Sequence, residues 1–322
     1  MGLGYFCFIE AKFYGGFLMI AFINSLPGAC AQGIIWGIMA IGVYITFRIL
    51  DMADLSVDGS FATGGAVMVM TMTSGVALPV AMLLAFVSGC VAGLVTGVFH
   101  TKFGIPAILS GILTQLCLYS INLRILGGKA NQALSANNYN LLVSLREVGK
   151  SLIVALVFTA IIIGILYRFF GTEIGHALRA TGSNPRMASA NGINTDTAKI
   201  IGLILSNGIV SLSGALLSQY QGFADINMGR GAIVIGLAAV IIGEVLFHKI
   251  FKNFAFKLLG CMIGGVLYYI VLTLVLRLGF NANDLKLFSA LVVAVFMGVP
   301  YWKAQIRAKA ANTNPGLGKE EA

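Results

Sequence analysis

Nine stretches of this chain are apolar for long enough to cross a lipid bilayer as helices: residues 26–47, 55–74, 78–99, 105–122, 151–170, 198–218, 231–247, 257–278 and 285–301. A helical crossing needs roughly 20 apolar residues. The bilayer core holds no water to satisfy a peptide N–H or C=O, so such runs must pair their backbone internally. The expectation is an all-α, polytopic membrane protein with about nine transmembrane helices. Composition agrees: 58% of the 322 residues are hydrophobic and 10% are charged, where soluble domains carry about a quarter. An ordinary soluble enzyme, a disordered chain and a nucleic-acid binder with a basic face are excluded. The 40 glycines show no G-X-Y period, which excludes collagen.

The polar segments set the organisation. They are 123–149, 171–197 and 219–230, with a short basic link at 248–257. Residues 1–25, rich in Tyr and Phe, read as an interfacial segment leading into the first span. Leu26-Pro-Gly-Ala-Cys30 is not read as a cleavage site, because the apolar run continues past it. Residues 26–302 form the membrane domain and 303–322 a tail. The net charge of +9 reports orientation here, because Lys and Arg collect in cytoplasmic loops. Thirteen of the 21 Lys and Arg residues fall on the side that holds the 171–197 loop and the tail, and eight on the other. That loop and the C-terminus are therefore expected in the cytoplasm.

Small residues recur at helical spacing. Gly89, Gly93 and Gly97 share a face of the third span, Ala29, Gly33 and Gly37 one of the first, and Gly260 and Gly264 one of the eighth. Such faces let helices approach closely in lipid. The five cysteines form no C-x-x-C pair, and His100, His176 and His248 lie far apart. Neither a metal nor another cofactor is expected.

Two segments look alike. Ala53-Asp-Leu-Ser-Val-Asp-Gly59 opens the second span, and Ala224-Asp-Ile-Asn-Met-Gly-Arg-Gly231 opens the seventh. In the expected topology one lies near the cytoplasmic side and the other near the outside. That is the pattern of an inverted repeat, with halves at about 26–122 and 198–301, whose Gly-interrupted openings line a substrate route. Two unrelated helix caps would give the same residue types. Candidate route residues are Asp54, Ser56, Asp58, Gly59, Ser60, Asn207, Asp225 and Asn227; capping and interhelical hydrogen bonding are the other roles open to each. Asp58 and Glu244 are the clearest acids within spans, and Gln115, Asn122 and Gln219 are further polar residues there. No chain of ionisable groups crosses the bilayer, as an ion or proton relay would require.

Residues 171–197 contain a short helix by their punctuation. Ser183 or Asn184 suits the N-cap, Pro185 the first turn, Arg186-Met-Ala-Ser-Ala190 the body and Gly192 the stop. A helix this short needs external support.

Together these residues resemble the permease subunit of bacterial ABC importers, in the group that serves branched-chain amino acids and ribose-type solutes. The family's "A-L-x-A-x-G-x-N-x-x-A-x-x-x-G-I" stands here at Ala177 to Ile193, and its "D-L-S-V-G-S" box resembles Asp54 to Ser60 with Asp58 as an extra residue. The match covers about 26 to 300. Phe47 to Phe61 is similar to a subgroup of amino-acid permeases, some linked to tryptophan or tyrosine. The resemblance implies a homodimer around one pathway in the bacterial inner membrane, an extracellular substrate-binding protein and a cytoplasmic ATP-binding cassette ATPase. It implies a coupling helix made by Gly182, Ser183, Asn184, Pro185, Arg186, Ala188, Asn191 and Gly192, with Arg186 touching the ATPase. The chain has no phosphate loop of its own: in Ser144-Leu-Arg-Glu-Val-Gly-Lys-Ser151 the first glycine is replaced and no strand precedes it. The expected role is a transport subunit, not an enzyme. A secondary transporter of inverted-repeat build is the alternative reading, and a non-transport scaffold or membrane enzyme a third.

Overall fold

The structure, a computed structural model, describes residues 3–135, 139, 141–247 and 253–277, with scattered positions from 287 to 305, and side chains from residue 23 onward. Ten α-helices order these residues. They are α1 (Leu3–Tyr44, continued by a π-turn at Ile45–Ile49), α2 (Val57–Thr73), α3 (Leu78–Thr101), α4 (Ala107–Ile125), α5 (Val148–Phe169), α6 (Glu173–Ser183), α7 (Pro185–Ala190), α8 (Thr195–Gln221), α9 (Ala232–Phe247) and α10 (Phe254–Arg277). Within residues 1–25, expected as an interfacial segment leading into the first span, α1 begins at Leu3 and runs on into that span. Two short strands, β1 (Asn131–Ala133) and β2 (Phe223–Asp225), pair antiparallel with Gln132 opposite Ala224. The chain is therefore mostly helical, with one small ribbon that the all-α reading did not contain.

Six helices among the described residues are long and apolar enough to cross a membrane: Ile23–Ile49, α3, α4, α5, α8 and α10. Of the nine expected spans, the second and seventh appear as α2 and α9, with 17 and 16 residues. At 1.5 Å per residue α2 and the described part of α9 are about 24–26 Å long, against a bilayer core of about 30 Å. The ninth, 285–301, lies mostly outside the described residues.

The centre of the bundle is α8. Its buried side chains run from Ala198 to Tyr220, and α1, α2 and α3 all pack on it. Close approach follows from the small residues. A Cβ added to Gly89 or Gly93 of α3 would overlap the carbonyl oxygens of Asn207 or Leu203 on α8. Gly33 and Gly37 seat α1 on α10 in the same way, against Val266 and Met262, and Gly264 seats α10 on Ala239 of α9. The exposed apolar side chains line α3, α4 and α5, for example Leu83, Leu116 and Ile161. Exposed apolar faces of that kind suit contact with lipid or a second membrane chain.

Contacts along α8 place α2 and α9. Ser60 of α2 is level with Asn207, near the middle of α8. From there α2 runs toward the ribbon end, where Met82 meets Gln219. The start of α9 is tied to Asp58, so it lies at the same level. From there α9 runs to the opposite end, where Glu244 meets Arg48. These two short helices thus begin near one another inside the molecule and leave in opposite directions.

Candidate functional site

The first region of interest is the end of the molecule formed by α6 and α7. Asn184 caps α7: its Oδ1 accepts from the Met187 N–H at 3.0 Å. Pro185 occupies the first helical position, where a missing N–H costs nothing. At the far end Gly192 has φ +82°, a left-handed conformation that glycine adopts freely. The Ile193 N–H donates to the Ala188 carbonyl, and Asn191 Nδ2 to the Met187 carbonyl, both at 3.0 Å. Ala188 is the buried side chain of α7; Ser183, Arg186, Met187 and Asn191 point outward.

α6 was not legible as a helix in the sequence reading. Thr172 caps it, accepting from the Gly175 N–H at 3.4 Å, and Gly175, Leu178 and Thr181 bury one face at a spacing of three. That spacing was the available signal. Gly182, at its last turn, lies against the carbonyl of Ile49 so closely that a Cβ would overlap it. Leu50 continues the contact onto Gly202 of α8. The Arg179 guanidinium lies 4.4 Å from the Phe254 ring centroid and 5.4 Å from that of Phe170. α7 is therefore an exposed knob on a base wedged against the end of α1.

The second region is a closed polar network in the interior. Asp54 Oδ1 accepts from Ser56 N at 2.9 Å and Ser56 Oγ at 2.6 Å. Asn207 Nδ2 donates to Asp54 Oδ2 at 2.8 Å and to the Leu203 carbonyl at 3.1 Å. Its Oδ1 accepts from Ser60 Oγ at 2.6 Å and Ser56 Oγ at 3.2 Å. All four residues are buried, Asp54 at 3% exposure and the others at 0%. Burial makes such bonds strong and unpaired members costly. Four of the eight expected route residues thus come together and satisfy one another.

The others are placed differently. Asp58, on the first turn of α2, accepts from Gly231 N and Ile233 N, both at 2.9 Å, one on each oxygen. A residue of α2 therefore caps the N-terminus of α9. Asp225 Oδ1 accepts from Asn227 N at 2.7 Å, the same i to i+2 turn that Asp54 makes with Ser56. Asp225 sits on the ribbon, and Asn227 is exposed beyond it.

Asp58 and Gly59 line a cavity of about 350 Å³, walled also by Ala62, Gln115, Leu116, Tyr119, Asn122, Ile226 and Arg230. α4 contributes Gln115, Tyr119 and Asn122 from one face, at helical spacing. Gln115 and Asn122 stood out in the sequence as polar residues in a span; Tyr119 and Arg230 did not. Two further cavities lie beside α6: one of about 720 Å³ between α6 and the start of α8, and one of about 620 Å³ that includes Arg48, Arg179 and Lys257. No group of three His, Cys, Asp or Glu among the described residues could hold a metal.

Residues 26–300 match the family described as the permease component of branched-chain amino acid transport systems. The tyrosine transport system permease protein of Clostridioides difficile is 38% identical over 299 residues, covering 93% of this chain and 99% of that one. The autoinducer 2 import system permease protein LsrC of Yersinia enterocolitica is 26% identical over 212 residues, 65% of this chain and 57% of that one. Two solved structures share the fold at TM-score 0.50. One is PsaBC of Streptococcus pneumoniae in complex with Fab, at 14% identity over 87% of this chain and 94% of that one. The other is an inward-facing ABC transporter assigned to the metal-chelate type, at 15% identity over 86% and 87%.

Proposed function

The chain belongs to the permease-component family of branched-chain amino acid transport systems, and from that premise we propose that it forms the import path for an amino acid, with tyrosine the first to test. As an ABC transporter permease it is a membrane transport subunit. The amino-acid reading is supported by the tyrosine permease, whose whole length this chain nearly spans. The proposed assembly is two permease copies, a cytoplasmic ATP-binding cassette ATPase on each and an extracellular binding protein. The end bearing α6 and α7 faces the cytoplasm of the cell, and the C-terminal tail lies on the same side, in keeping with the excess of Lys and Arg there.

One observation carries the mechanism: the wedge of Gly182 on the Ile49 carbonyl. The capped, outward-pointing α7 is the coupling helix, built from Gly182, Ser183, Asn184, Pro185, Arg186, Ala188, Asn191 and Gly192, and Arg186 meets the ATPase. Closure of the ATPases pushes α7. Through Gly182 the push reaches Ile49 and Leu50, and then the segment that leads to Asp54 and the start of α2. The Asp54–Ser56–Ser60–Asn207 network makes that segment move with α8 as one body. Asp58 links the same point to α9. A switch of this kind needs two packings that the partner favours unequally. α2 and α9, with their matching Asp turns and opposite directions, support an inverted pair with halves at about 26–122 and 198–301. Asp58 and Gly59 face the route; Asp225 and Asn227 stand at its outer approach.

The test is uptake by proteoliposomes holding permease and ATPase, with the binding protein outside. Tyrosine uptake is expected to need ATP and to fall at least tenfold in Arg186→Glu, since a reversed charge at a docking contact costs several kcal/mol. Uptake that persists without ATP under an imposed ion gradient would sink the reading.

A further inference from the structure

We propose that the 350 Å³ cavity between α2, α4 and the start of α9 is a binding site for a neutral α-amino acid in its zwitterionic form. This rests on the amino-acid reading above and adds to it a site within the permease itself.

Charge defines the ligand class. The wall holds one acid, Asp58, and one base, Arg230. Among the described residues no ion pair joins them, and no other carboxylate pairs with Arg230. Asp58 accepts the Gly231 and Ile233 amides at 2.9 Å, one on each oxygen, and the Ala232 amide also bonds to it. A carboxylate has about four acceptor positions, so one remains for a cation. A guanidinium presents five donors in a fork that matches a carboxylate. A ligand with an ammonium at one end and a carboxylate at the other satisfies both. An uncharged sugar would satisfy neither charge.

An orphaned atom points the same way. Asn122 is 1% exposed, and among the described residues its Oδ1 has no hydrogen-bond partner. A buried acceptor left unpaired is costly. Its Nδ2 reaches the Gly59 carbonyl at 3.5 Å, which holds the amide at the cavity wall beside Asp58. An ammonium has three donors, enough to serve Asp58 and Asn122 together. The amino end thus goes to Asp58 and Asn122, and the carboxylate to Arg230.

Size and lining define the side chain. The volume is at the small end of ligand sites, which suits one amino acid and not a peptide. Leu116, Tyr119 and Ile226 supply apolar and aromatic surface. Among the described residues no further charged side chain lines the cavity, which suits an uncharged ligand side chain. Leu116, Tyr119 and Arg230 are exposed and form the open side.

The experiment uses the permease–ATPase complex in nanodiscs, without binding protein or nucleotide, and radiolabelled L-tyrosine. Competitors are tyramine, which lacks the carboxylate, and 3-(4-hydroxyphenyl)propionate, which lacks the ammonium. Tyrosine is expected to bind, and each competitor to be weaker by roughly 10- to 100-fold, the worth of a hydrogen-bonded charge. In Arg230→Gln, tyrosine should fall to the level of tyramine while tyramine is unchanged. In Asn122→Leu, tyrosine and tyramine should weaken together while the propionate does not. A misfolded variant loses every ligand, so retained tyramine binding by Arg230→Gln separates recognition from folding. Equal affinity of the wild type for all three, or equal loss of tyrosine and tyramine in Arg230→Gln, overturns the proposal. Tyrosine uptake is measured in parallel with binding protein added. Uptake without binding overturns the site and leaves the transport reading standing. A transporter that carries no amino acid overturns both.

Discussion

Asn207 shows what a single side chain does in this bundle. Its amide touches α2, the segment before α2 and its own helix, and all its partners are buried. Replacing it with leucine removes a donor from Asp54 Oδ2 and an acceptor from Ser60 and Ser56. Breaking one side of a buried charged network costs roughly 2–4 kcal/mol. The Asn207→Leu protein should therefore unfold several degrees below the parent in detergent, measured by intrinsic fluorescence on heating. An unchanged midpoint would mean that Asp54 finds other partners. Asp54, Ser56 and Ser60 were legible as a local motif, because turn-forming residues next to a span have few other uses. Their bond to Asn207 was not, since the two segments are about 150 positions apart and local spacing carries no information across that gap. Asp58 was picked out as an acid in a span, but its service as the cap of α9 depends on the same long-range contact.

Among the helices, α7 is the most completely written in the sequence. Asn184, Pro185 and Gly192 each do in the structure what their chemistry suggests, because capping is a local interaction. Asn184→Ala should cost about 1 kcal/mol of α7 stability, which a six-residue helix has little means to absorb. The loss is confined to α7, so the thermal midpoint of the whole permease should stay put while ATP-driven uptake drops several-fold. Asn184→Ser keeps a capping oxygen and should restore uptake; if it does not, the cap is not what matters. α2 and α9 were legible as apolar segments but not as short helices that start inside the fold. Hydropathy measures how apolar a run is and says nothing about the depth at which it starts. That depth is set by Asp58, Gly231 and Asn207 reaching across the fold. The β1–β2 ribbon was missed for a similar reason: each strand has three residues, and they are paired across about 90 positions.

On the scale of the molecule, α9 is tied at both ends to the N-terminal half. Asp58 holds its start, and Arg48 Nε donates to Glu244 Oε1 at 2.6 Å near its finish. The second tie is one position from Ile49, against which Gly182 is wedged. In the proposed coupling, a push arriving through α6 would reach α9 as well as α2. The Arg48 and Glu244 side chains are 57% and 30% exposed, and ion pairs that open to solvent contribute about 0–1 kcal/mol. Stability is therefore a poor measure of this pair, and transport is the better one. Arg48→Glu places two acids together and should slow ATP-driven uptake several-fold, with the thermal midpoint little changed. Glu244→Arg should do the same by opposing two bases. The swap, with both changes in one chain, restores the attraction in reverse and should recover most of the uptake. A swap no better than either single variant would show that α9 takes its motion from Asp58 alone, and that the Arg48–Glu244 contact does not transmit it.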